Sequence, residues 1–95
     1  MNIRALHPVE KPVSSKTLFK GEEGRLLTIR ILENEKLSEH ITKVPALLIC
    51  VEGRVVFRDE TGTNQTLYRG DYLSIKPMMK HWVSALEDSQ LLLAR

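Results

Sequence analysis

The feature that most constrains this chain is a punctuated run late in the sequence, Gly70-Asp71-Tyr72-Leu73-Ser74-Ile75-Lys76-Pro77, with His81 four residues on. Gly-Asp is turn chemistry. Leu73 and Ile75 alternate with polar neighbours at the period of a strand. Pro77 cannot donate to a ladder and stops that strand, and His81 opens the next one. Shortly before stands a second block, Val51-Glu52-Gly53-Arg54-Val55, which reads as strand, glycine turn, strand. Short strands cut by turn residues leave no room for long helices, and no segment carries a 3.6-residue apolar stripe over three turns.

The rest of the chain agrees. Residues 1–16 are polar and contain Pro8 and Pro12, so residues 1–20 are expected to form an N-terminal arm, with a short edge strand at Thr17–Phe19. From Arg25 the alternation begins. Leu27, Ile29 and Ile31 share one face, Thr28 and Arg30 the other, with Leu26 and Leu32 as exceptions. Residues 33–36 read as a turn. Residues 31–41 resemble a helix only weakly, because Asn34 and Ser38 interrupt them. Ala46–Glu52 is a compact apolar run that meets Gly53, and Arg54–Arg58 resumes it, as a hairpin or as one strand bent at the glycine. Strands are further expected at Thr66–Arg69, Tyr72–Ile75, His81–Ala85 and Gln90–Ala94. Eight or nine short strands predict a sandwich or barrel over residues 21–95.

Composition excludes several function classes. Ninety-five residues make one domain. The net charge of +2 gathers in the arm, where Arg4, Lys11, Lys16 and Lys20 face only Glu10. With no recognition helix and no interleaved aromatics, nucleic acid is not an expected partner. The longest apolar run, Ala46 to Val51, is too short to span a bilayer, and the N-terminus has no signal-peptide core. The single cysteine, Cys50, excludes an internal disulfide and fits a reducing compartment, so a cytoplasmic location is expected. No Ser–His–Asp set, phosphate-binding glycine loop, CxxC or HExxH is present.

From Arg25 to Ala94 these residues resemble the cupin family of RmlC-like jelly-roll barrels. Gly70, Asp71, Leu73, Ile75, Pro77 and His81 match its second motif, and Glu52-Gly53 the end of its first. The resemblance implies an all-β, single-domain cupin-type double-stranded β-helix. In metal-bearing cupins the first motif supplies two histidines and a glutamate, and the second one histidine. Counted back from Gly53, the glutamate position falls on Ala46 and the histidine positions on His40 and Thr42. The second motif's histidine falls on His81. Met78-Met79-Lys80 stands where the family has glycine between Pro77 and His81. The resemblance therefore implies a metal pair of His40 and His81, holding one divalent ion (Zn, Ni, Fe or Mn) or none. His7 folded over the barrel mouth, or water and substrate, would complete the shell.

Alternation sets the expected lining. Thr42 shares the face of His40, Leu48 and Cys50 that of Ala46, and Val83 and Ala85 that of His81. The expected ligand pocket is His40, Thr42, Leu48, Cys50, Met79, His81 and Val83, two imidazoles in an apolar wall suited to a small apolar or aromatic molecule with one polar handle. The alternative is a barrel filled with aliphatic side chains. Cys50 reads as an inert core thiol. Trp82 should face away from His81, as a cover for the outer sheet or a subunit contact. Met78 and Met79 read as an adaptable lid or as loop filling. Asp71 and Glu52 read as turn residues rather than an acid–base pair. The resemblance implies a small-molecule-binding barrel with at most a weak two-histidine metal site, or a metal-dependent enzyme of dioxygenase, isomerase or decarboxylase type. A sensor half would require a separate DNA-binding chain. A homodimer is expected, because exposed strand edges and a proline-bearing arm suit pairing.

Overall fold

Nine strands form, in a computed structural model that describes all 95 residues. They are β1 Val13–Lys20, β2 Arg25–Ile31, β3 Lys36–His40, β4 Ala46–Glu52, β5 Val55–Asp59, β6 Asn64–Leu67, β7 Tyr72–Ile75, β8 His81–Ala85 and β9 Ser89–Ala94. Two antiparallel sheets result, one of order β1-β2-β9-β4-β7 and one of order β3-β8-β5-β6. The chain passes between the sheets repeatedly, which produces the double-stranded jelly roll expected from the turn pattern.

Gly53 decides how β4 continues. β4 and β5 lie in different sheets, so the chain bends at the glycine and makes no hairpin. The bend needs φ = +87°, which a side chain bearing Cβ adopts at a cost. The second motif closes in the same local way. Gly70 has φ = +92°, the Asp71 carboxylate accepts from Tyr68 N at 2.8 Å, and Gly70 N donates to the Cys50 carbonyl at 2.7 Å. Asp71 is a turn residue that fastens β7 beside β4.

Alternation fixes which face is buried. Ala46, Leu48 and Cys50 of β4 and His81, Val83 and Ala85 of β8 are buried, while their neighbours are more exposed. All of these except His81 join Ile29, Ile31, Val55, Phe57, Leu67, Ile75, Leu91 and Leu93 in one hydrophobic cluster between the sheets. The interior is a packed core.

The N-terminal region departs from expectation. β1 is an eight-residue strand, paired with β2 from Val13↔Ile31 to Lys20↔Arg25, rather than three residues. An edge strand exposed on most of its length gains nothing from apolar alternation, and its apolar residues, Val13, Leu18 and Phe19, follow no two-residue repeat. β3 forms where a helix had been weighed, pairing with β8. Strand β6 begins two residues earlier than its apolar residues indicated. Residues 1–12 form a strap across the outer face of the five-stranded sheet. It starts with a 3-10 turn, Ile3–Leu6, capped by Asn2. Arg30 then donates through Nη2 to the carbonyls of Pro8 and Lys11.

Candidate functional site

Two imidazoles meet at one end of the four-stranded sheet. β3 and β8 pair so that His40 stands opposite His81, and the rings contact edge-to-face with centroids 4.1 Å apart. His81 is buried, at 1% exposure, and lies parallel to the Phe57 ring at 5.6 Å. His40 is half-buried.

Backbone carbonyls set the tautomers. His40 Nδ1 lies 2.9 Å from the Ser38 carbonyl, and His81 Nδ1 lies 2.9 Å from the Met79 carbonyl. A carbonyl only accepts, so in each ring Nδ1 carries the proton and donates. In the neutral rings both Nε2 atoms then keep their lone pairs. Burial pushes the His81 pKa down, the Met79 carbonyl bond opposes that, the His40 ring adds to the lowering and Asp59 opposes it. His81 is thus held as a neutral ring near pH 7, with Nε2 free to accept.

A cleft of about 240 Å³ lies beside it, between the edges of the two sheets. Phe57, Leu73 and Met79 form its apolar part, and Asp59, Gln65 and Lys76 are among its polar residues. Phe57 links cleft and pair, because it lines the one and stacks on the other. Asp59 is largely spent, since its Oδ1 accepts from Thr61 N, Thr61 Oγ1 and Thr63 N. These bonds, led by the Thr61 hydroxyl, hold its pKa below the usual carboxylate value.

The other expected pocket residues separate. Leu48, Cys50 and Val83 belong to the packed core and line none of the larger cavities. The Cys50 thiol donates weakly toward the carbonyls of Glu52 and Gly53. Burial, then the Asp71 charge, pushes its pKa up, so it stays protonated. Thr42 is buried at 1% exposure with Oγ1 unpartnered, and lines a different cleft with Arg25 and Arg95. Its carbonyl accepts from Met78 N at 2.7 Å. Trp82 is half-buried between buried neighbours, on the face opposite His81. Glu52 is at the surface, 3.8 Å from Arg4.

His7 does not reach the barrel mouth. It is buried against the outer face of the five-stranded sheet, with Nδ1 2.8 Å from Ser14 Oγ and Nε2 3.3 Å from Thr28 Oγ1. Thr28 alternates with the inward Leu27 and Ile29, so the sheet itself separates His7 from the interior. No group of three or more His, Cys, Asp or Glu side chains is placed to share a metal ion. Sequence reasoning also passed over Phe57. Its place follows from the strand register, which sets Asp59 opposite His81 and Phe57 two residues away on the same face, and no local pattern in the sequence marks it.

Sheet order, register and the two turn motifs define a cupin fold in a small single domain. Solved structures of that class superpose over nearly the whole chain. A cupin superfamily protein from Desulfitobacterium hafniense matches with a TM-score of 0.84 at 16% identity, covering 97% of this chain and 84% of its own. An uncharacterized conserved protein with a double-stranded β-helix domain from Klebsiella pneumoniae matches with a TM-score of 0.85 at 11% identity, covering 99% and 85%. KdgF from a Halomonas species matches with a TM-score of 0.79 at 19% identity, covering 93% and 82%. No protein-family model matches the sequence, and no curated protein matches it. No helix is long and apolar enough to cross a membrane.

Proposed function

We propose that the protein is a small-molecule-binding cupin barrel whose His40–His81 pair accepts hydrogen bonds from a ligand hydroxyl or N–H. The observation that carries this reading is the double Nδ1–carbonyl contact, which spends Nδ1 of each ring on the backbone and leaves Nε2 of the buried, neutral His81 as an acceptor. The adjoining cleft with Phe57, Leu73 and Met79 suits a small apolar or aromatic body. Phenol is the simplest probe of that chemistry. At about ten times its Kd it should stabilise the protein by about 1.4 kcal/mol and raise Tm by roughly 5 °C. His81→Phe, which keeps a ring against Phe57 but removes the acceptor, should abolish the shift. An equal shift in wild type and variant, or none with phenol or short hydroxy acids, would overturn the reading.

A second reading is a metal-dependent cupin enzyme of dioxygenase, isomerase or decarboxylase type. What favours it is the same pair of carbonyl bonds, which in metal sites orient ligating histidines. Against it stand the missing third donor and the ring spacing. Two imidazoles bound to one ion at about 2.1 Å hold their centroids roughly 5 Å apart, so these rings, at 4.1 Å, would first have to separate. Loading with Zn, Ni, Fe or Mn followed by elemental analysis decides. About one metal per chain, lost in His40→Ala and in His81→Ala, would favour this reading. Metal below about a tenth per chain would remove it.

A further inference from the structure

Three buried side-chain atoms find no hydrogen-bond partner: Arg30 Nε, Thr42 Oγ1 and Gln90 Oε1. Two of them belong to facing residues. Arg30 of β2 is the register partner of Gln90 of β9, and Gln90 in turn that of Glu52 of β4. The β4 register shifts just before Glu52, and a bulge of that kind re-aims a side chain. Arg30, Gln90 and Glu52 all line one cavity of about 370 Å³. Neighbouring strands lie about 4.8 Å apart, so the row reads cation, amide, carboxylate at one-strand steps. The strap closes the cavity over the sheet. Arg4, in its 3-10 turn, lines it and lies 3.8 Å from Glu52. Arg30 Nη2 is committed to the carbonyls of Pro8 and Lys11, which fixes the guanidinium while its Nε–H has no acceptor. Asp88 adds a second carboxylate to the lining and gives Oδ1 to Glu33 N. Gln90 is only 4% exposed. A buried donor or acceptor without a partner loses its hydration for nothing, and native interiors hold few of them. Leucine would fill the place of Gln90 without that loss, so packing does not account for the amide.

We propose that the cavity beneath the strap binds a small α-amino acid as its zwitterion. The carboxylate accepts from Arg30 Nε. The ammonium donates to Gln90 Oε1 and faces the Glu52 and Asp88 carboxylates. The balance of charge selects the zwitterion. A bare carboxylate would meet Glu52 and Asp88, and a bare amine would meet Arg4 and Arg30, whereas a molecule carrying both charges finds a partner for each along the row. The cavity is at the small end for ligand sites, and Leu32 is its one apolar residue, so the amino acid has a small or polar side chain. Arg30 Nε and Gln90 Oε1 are sealed from solvent. The strap therefore has to ease for the ligand to enter, and strap signals report binding. The site lies on the outer side of the five-stranded sheet, whereas His40 and His81 belong to the four-stranded sheet, and it stands whether or not that pair binds a ligand.

Titration of the ¹⁵N-labelled chain with glycine, alanine and serine, each to about 50 mM, tests this by NMR, well above the millimolar Kd of so small a ligand. At least one should give saturable shifts at Arg4, at the Gln90 side-chain amide and along the strap, and leave His81 unmoved. Acetate and methylammonium, with one charge each, should bind about tenfold more weakly or worse. Gln90→Leu should melt no lower than wild type and lose about tenfold or more in amino-acid affinity. Should that variant fail to fold, the double variant Glu52→Gln/Asp88→Asn decides, since both side chains are exposed and asparagine keeps an oxygen for Glu33 N. Its cavity keeps only the two arginine charges, so acetate should now bind at least as tightly as glycine. No saturable shift with any of the three amino acids would overturn the proposal and leave the two atoms to water. Acetate or methylammonium bound by wild type as tightly as the amino acid would overturn it too. So would a folded Gln90→Leu that binds as wild type does, or a double variant that still prefers the zwitterion.

Discussion

Gly53→Ala should destabilise the protein by about 3 kcal/mol, from about 1–2 kcal/mol of left-handed backbone strain and a similar cost of overpacking. At φ = +87° the new Cβ would lie against Ser89 Oγ, 2.5 Å from the Asp88 carbonyl oxygen and 2.8 Å from Ser89 Cα. Backbone cannot yield there, because Ser89 is itself pinned. Its hydroxyl accepts from Arg54 N at 3.1 Å and donates to the Glu87 carbonyl at 2.7 Å. The same bend carries the chain from one sheet to the other, so relief at Gly53 would drag β5 off its register with β8. Gly62→Ala is the internal control. Gly62 has φ = +94° but nothing within 4 Å of its would-be Cβ, so it should lose only the strain, about 1 kcal/mol. Urea unfolding midpoints of both variants check this. A Gly53→Ala loss no larger than that of Gly62→Ala would mean that the crossing is slack.

Stability should fall steeply as pH drops below about 6.5. Two buried histidines drive it. His7 has its pKa lowered by burial first, then by Arg30 and Lys16, and His81 by burial first. In the unfolded chain both take up protons near 6.5, while the folded protein refuses them until lower pH. The unfolded state therefore binds more protons across that window. The stability contributed by the neutral rings is complete above 6.5 and is lost as pH falls through the folded pKa values. Each histidine contributes a slope of up to about 1.4 kcal/mol per pH unit. Denaturant unfolding between pH 8 and pH 5 reads the slope, and His81→Phe should remove about half of it. Asp59 titrates below the ordinary carboxylate value and leaves the window to the histidines. Stability that is flat or rising from pH 7 to pH 5 would contradict the burial of neutral imidazoles.

Much of the barrel can be read from period alone. The strict burial alternation of Ala46, Leu48 and Cys50 in β4, and of His81, Val83 and Ala85 in β8, follows directly from the two-residue repeat. What could not be read depended on tertiary context. β1 is an exposed edge whose stretch Ser14 to Thr17 is polar on both faces, so periodicity had nothing to report. β3 carries Lys36 and Glu39 in a strand that pairs on one side only. The pairing of His40 with His81 was legible from motif spacing, whereas the place of His7 depended on how the strap crosses the sheet. Whether the interior was hollow turned on side-chain packing, and Leu48, Cys50 and Val83 proved to be core. The exceptional Leu26 was a signal of another kind. It marks the outer face rather than a broken alternation.

The central claim is that both imidazoles donate through Nδ1 to the backbone and that the buried His81 is neutral, with Nε2 free to accept. Long-range ¹H–¹⁵N correlation spectra of the histidine side chains at pH 7.5 test it most directly. The account predicts that both rings show a protonated Nδ1 and that His81 shows an unprotonated Nε2, whose signal moves when phenol is added. An unprotonated Nδ1 on either ring, or a His81 that is still an imidazolium at that pH, would contradict it.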